Sequence, residues 1–181
     1  MTEEYLDVVD SADEIIGRRS RSDVHATGLR HRSVHVLVFN RSGRLFLQKR
    51  SLEKETHPGL WDSSASGHLN SGEDYDTGAI RELGEEIGLF LERVPERLFK
   101  VDACDETGQE FVWVYRVVAE GPFRLQPGEI DDGDWFDLRE VENRLKRSPG
   151  EFAPSFALIW RLMNERSNRP ISTGSIDSAR L

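Results

Sequence analysis

The stretch GHLNSGEDYDTGAIRELGEEIGL, Gly67 to Leu89, restricts the fold of this chain more than any other segment. From Asp76 to Ile87 the apolar residues Ala79, Ile80, Leu83 and Ile87 recur at helical spacing, which predicts a helix with one face on a core. Asp74 or Asp76 stands where a cap belongs, and Gly88 stands where the helix should stop. Gly78 and Gly84 would each weaken an exposed helix by about 1 kcal/mol relative to alanine, so packing compensates or close approach requires them. The other side carries Glu82, Glu85 and Glu86 at i, i+3 and i+4. Like charges so placed repel, and Arg81 offsets only part of the repulsion. A solvated acidic face is the plainer account of such a string taken alone. A tight group of oxygen ligands for Mg²⁺ or Mn²⁺ is the other. Gly67 and Gly72 allow a sharp loop before the helix, and Glu73 adds a fourth carboxylate at its entrance.

The rest of the chain supplies strands for that helix to pack on. EYLDVVD, SVHVLVFN and SGRLFLQKR read as strands, the last two as a hairpin across an Asn-Arg-Ser-Gly turn. SADEIIGRRSR reads as a turn carrying basic residues, and SLEKETHPGLW as loop. DSSASGHLN reads as a short extended segment, RLFKVDACD and EFVWVYRVVA as two strands, and GDWFDL as another. Asp137 with Glu140 predicts a capping box for LREVENRLKR, and PSFALIWRLMNER predicts a last helix. This pattern predicts an α+β chain, layered α/β/α with a mixed sheet, in one domain over residues 1–167 and with a loose tail over 168–181.

Composition narrows the function. A formal charge of −9 argues against gripping a nucleic-acid polymer, but not against a small phosphorylated ligand drawn in by a bound cation. One cysteine, Cys104, excludes an internal disulfide and a thiolate cluster, and it reads as a small buried hydrophobe. There is no long apolar run, and the acidic N-terminal segment is unlike a signal peptide; both favour a cytoplasmic protein without a membrane span. Oligomeric state is open, a homodimer being the common case.

The acidic segment resembles the Nudix box, G-x5-E-x7-R-E-U-x-E-E-x-G-U with U aliphatic. Gly67, Glu73, Arg81, Glu82, Leu83, Glu85, Glu86, Gly88 and Leu89 occupy every fixed position. The resemblance implies the Nudix fold and cleavage of a nucleoside diphosphate linked to another moiety, with Mg²⁺ or Mn²⁺ as cofactor. It implies Glu82, Glu85 and Glu86 as metal ligands, with Gly67 counted in the metal site, and Glu73 holding the motif or Arg81. Glu86 is then mainly a ligand and Glu85 a ligand or base, while Glu110 and Glu129 are base candidates outside the box. Arg32, Lys49, Arg50 and Arg81, with His31 and His68, are candidate substrate contacts, and Arg18, Arg19 and Arg21 offer the same from an earlier segment. Trp61, Phe111 and Trp113 have faces that suit a nucleobase, with packing the plainer role for each.

About Tyr5 to Leu145 also resembles the branch that includes isopentenyl-diphosphate isomerase. There a histidine cluster and carboxylates hold one metal, while a cysteine and a glutamate move protons. His25, His31, His68 and Glu110 match those positions, but Ser66 stands where the cysteine belongs, and Gly108 near a carboxylate ligand. A serine's high pKa makes it a poor proton relay. The intact box therefore favours a diphosphate hydrolase. An isomerase-like enzyme and a non-catalytic nucleotide-binding module are the alternatives. The histidines form a second metal site or serve as structural and substrate contacts.

Overall fold

In the computed structural model, which describes residues 4–167, the chain begins with an antiparallel pair, β1 (Tyr5–Val9) and β2 (Ile15–Ser20). A short helix, α1 (Arg21–Thr27), follows, capped by Ser20 and stopped by Gly28 at φ 63°. The strands β3 (His31–Phe39) and β4 (Leu45–Arg50) form the expected hairpin. Next come β5 (Trp61–Asp62), β6 (Ala65–His68) and α2 (Tyr75–Ile87). The remaining elements are β7 (Glu96–Val101), β8 (Glu110–Val118), β9 (Ile130–Phe136), α3 (Leu138–Arg147), a 3-10 turn (Pro149–Glu151) and α4 (Pro154–Ser167).

Seven strands make one mixed sheet in the order β5-β4-β3-β8-β7, with β6 on β3 and β9 on β4. β3 lies at its centre, parallel to β8 and antiparallel to β4 and β6. Alternation along β3 assigns the two faces. Val34, Val36 and Val38 bury against Ala79, Leu83 and Ile87 of α2. Leu37 and Phe39 bury on the opposite side with Phe156, Ile159 and Trp160 of α4. The result is the α/β/α sandwich with a mixed sheet that the sequence predicts.

Several expectations are corrected. The basic segment after β1 is not a turn: Ile15 to Ser20 pair with β1, and α1 follows directly. Asp74, not Asp76, caps α2, through its side chain and the Thr77 N–H. Asp137 occupies the cap position of α3 but makes no side-chain cap bond. Ile80 does not join the core; it turns toward the cleft described below. Cys104 is half-buried at the edge of the α4-side core. Residues 168–181, the expected tail, lie outside the described residues.

Candidate active site

The box loop is held by the opening hairpin. Ser71 Oγ and the Gly72 N–H both donate to Asp7 of β1, at 2.6 and 2.8 Å, and Gly72 takes a φ of 82° that favours glycine. Asp13, in the β1–β2 turn, accepts from Tyr75 Oη at 2.9 Å and pairs with Arg32 and Lys100. The first residue of α2 is thereby tied to the hairpin.

Arg81 is the hub of the acidic group. Its Nε donates to Glu73 Oε1 and its Nη2 to Glu73 Oε2, both at 2.8 Å. Its Nη1 reaches Glu82 Oε1 at 2.7 Å and Glu85 Oε2 at 2.9 Å, and its Nη2 also reaches the His68 carbonyl at 2.8 Å. Its donors are committed within the site, and its pKa is raised because the bonds to Glu73 and the charges of its neighbours outweigh its burial. Gly67 is required for space: a Cβ there would run into the Glu82 carboxylate. Glu86 Oε2 accepts from the Ser66 N–H at 2.8 Å and from Gln48 Nε2 at 2.9 Å.

Burial pushes Glu82 up to about 7. Burial, then the charge of Glu82, pushes Glu86 up to about 8. Two buried carboxylates close enough for one to raise the other are costly without a cation. Oxygen donors gathered beside a glycine that leaves them room fit a hard divalent ion. Glu85, held by Arg81 through one oxygen, is more open, with its side chain 61% exposed.

A second cluster lies on the other side of β6. Among the described residues, His25 of α1, His31 of β3 and His68 of β6 each offer a nitrogen within 4.8 Å of the others. Glu110 of β8 joins them: its Oε1 lies 3.1 Å from His68 Nε2 and 3.6 Å from His31 Nε2. Burial alone would raise Glu110, yet His68 and His31 hold it well below the usual carboxylate range. Burial, with His68 and His31 nearby, pushes His25 down to about 4. His31 is 1% exposed, and its Nε2 has no hydrogen-bond partner. A buried nitrogen left open and facing like rings fits an ion with nitrogen and carboxylate ligands.

Both clusters open into one cleft of about 960 Å³. Its lining includes Glu82, Glu85 and Glu86, with His25, His68 and Glu110, and also Arg50, Lys54 and His57. The cleft also receives Arg21, and Glu129, which pairs with Lys54. Arg32 and Lys49 do not line it. Arg32 is spent on Asp13, and Lys49 lies 5.6 Å from the Trp61 ring. Arg50 lines it while paired with Asp62 at 3.2 Å. Trp61, Phe111 and Trp113 pack elsewhere, the first against Phe136 and the other two beside Lys100 and Arg97. Sequence reading missed His35, Lys54, His57, Arg124 and Phe90. His35 is buried, its pKa is lowered by that burial, and its Nδ1 lies 2.8 Å from Ser63 Oγ. Its position opposite Ser66 on β6 was the available signal, but that needs the strand register.

A mixed sheet between helices, with an acidic helix and a His/Glu cluster around a single cleft, defines a metal-assisted diphosphate hydrolase type of site. The NUDIX domain profile matches residues 29–156. An uncharacterized Nudix hydrolase of Yersinia pestis is 34% identical over 169 residues, 91% of this chain and 88% of that one. An isopentenyl-diphosphate Delta-isomerase of Serratia proteamaculans is 33% identical over 88% of this chain and 90% of its own. A crystal structure from Deinococcus radiodurans superposes with a TM-score of 0.76 at 28% identity, covering 92% of this chain and all of that one (100%). The chain belongs to the Nudix family, and its His/Glu cluster suits metal-assisted hydrolysis of a nucleotide diphosphate linkage.

Proposed function

We propose that the protein hydrolyses a phosphoanhydride bond of a nucleoside di- or triphosphate, or of a nucleoside diphosphate linked to another moiety, with Mg²⁺ or Mn²⁺. The observation that carries this reading is the pair of buried carboxylates, Glu82 against Gly67 and Glu86 on the neighbouring Ser66 N–H. Glu82, Glu85 and Glu86, with Gly67, would hold the ion. Bound there, it would neutralise diphosphate oxygens and make water a better nucleophile. Arg50, Lys54 and His57, which line the same cleft, contact the polyanion, the first two turning from Asp62 and Glu129 to do so. Glu85 takes the proton from the attacking water: Arg81 holds one of its oxygens, but its side chain is 61% exposed, against 43% for Glu129, which pairs with Lys54, and 16% for Glu110, which the histidines hold. Arg81 organises the carboxylates instead of gripping substrate. A phosphate-release screen with each ion over nucleoside di- and triphosphates, nucleotide sugars, dinucleoside polyphosphates and prenyl diphosphates tests the assignment. Metal-dependent release from a nucleotide supports it; release from none of them rejects it.

A second reading rests on the cluster of His25, His31, His68 and Glu110 and on relatives named isopentenyl-diphosphate Delta-isomerase. Ser66 weighs against it, because a serine hydroxyl holds its proton too tightly for a carbon-acid relay. Conversion of isopentenyl diphosphate without phosphate release would favour it.

A further inference from the structure

Of the large apolar side chains that are exposed among the described residues, Phe90 is the one that lines the cleft, and it is 77% exposed. Its ring lies over Gly84 of α2: a Cβ there would sit 3.0 Å from Cε1 and 3.2 Å from Cδ1. One turn further along the helix, Gly88 meets Arg124, with a Cβ placed 3.2 Å from Arg124 Cβ. The main chain fixes this second wall, since the Arg124 N–H donates to the Ile87 carbonyl at 3.0 Å and the Gln126 N–H to the Glu86 carbonyl at 2.8 Å. Arg124 also lines the cleft, and its guanidinium has no ion-pair partner among the described residues. Ile80 lies one turn before Gly84 and lines the same cleft. The helix therefore presents an apolar shelf beside its carboxylates, with the Phe90 ring over Gly84 and Arg124 against Gly88, both lining the cleft. Glu82 to Gly88 spans about 9 Å of helix axis, so a group attached to a diphosphate at the carboxylates reaches the shelf.

We infer that Phe90 and Arg124 form the subsite for a flat nucleobase carried by the diphosphate substrate. This rests on the hydrolase reading above and names the part of the substrate that the box leaves unspecified. An exposed ring accepts either face of a base and recovers the apolar area it leaves in water, and a guanidinium lining the same cleft can add a cation–π contact to the bound base. Phe90 is a positioning residue that touches no reacting atom. Calorimetry with Mg²⁺ should compare a non-hydrolysable probe, α,β-methylene-ADP, with inorganic diphosphate, which has no base. F90A should lower the ratio of their affinities at least tenfold, and F90W should restore it to within about twofold of the native ratio. A ratio unchanged in F90A, with both probes still bound, would overturn the subsite and leave the hydrolase reading standing. Failure of the native protein to bind either probe would sink both. Full restoration by F90L, or a tenfold loss in F90A seen with dimethylallyl diphosphate and not with the nucleotide, would replace the base with an aliphatic group and so overturn the proposal.

Discussion

Glu86 spends one carboxyl oxygen on Ser66 and Gln48, while Oε1 makes no hydrogen bond among the described residues. Glutamine at this position keeps an acceptor for those donors and carries no charge to desolvate. E86Q should therefore leave the urea midpoint equal or higher and reduce Mg²⁺- and Mn²⁺-dependent turnover by about 100-fold or more. Asp13 is the opposite case. Burial pushes its pKa up, but Lys100, Arg32 and Tyr75 outweigh that and hold it below the usual value of 3.8. A depressed carboxyl binds fewer protons folded than unfolded, so its contribution is complete above that value and lost as pH falls through the lower folded one. D13N should cost about 2 kcal/mol at neutral pH. Denaturation from pH 5 to pH 2.5 should show the gap between native protein and variant closing only at the acid end.

The helix α2 turns sequence spacing into a site, and Gly67 sets how close its glutamates come to β6. G67A would drive Glu82 out of its place without touching the core beneath Leu83 and Ile87. Divalent-ion affinity, read by calorimetry, should fall at least about tenfold while far-ultraviolet circular dichroism stays native. The helix and its carboxylates were legible in the sequence because every determinant lies within one local repeat. The hairpin of β3 and β4 was legible for the same reason. α1 was not, because it has seven residues and buries only Val24, which leaves no stripe to detect. β2 was hidden by its exposed pattern, with Ile15 and Ile16 facing out. Lys54, Arg124 and Phe90 come from loops whose place in the cleft depends on strand order. The histidines were legible as residues, but their meeting with Glu110 requires β3 and β8 to run parallel in one register.

Across the molecule, the cleft is the place where strain and function coincide. Two buried acids and a knot of imidazoles are tolerated because a sheet with a core on each face carries them. Cation binding should relieve part of that cost. Saturating Mn²⁺ at about 100 times its dissociation constant should stabilise the fold by about 2.7 kcal/mol, raising the melting temperature by several degrees. EDTA should reverse the shift and abolish turnover together, and a melting temperature indifferent to both would contradict an ion held by these side chains. No helix among the described residues is long and apolar enough to cross a membrane. The grip of Asp7 on Ser71 and Gly72 joins positions more than sixty residues apart in sequence. During synthesis on the ribosome, the first hairpin must therefore wait for its client turn to emerge. Assembly of the acidic corner becomes a late, long-range event, out of reach of any fragment that stops before the turn it clasps.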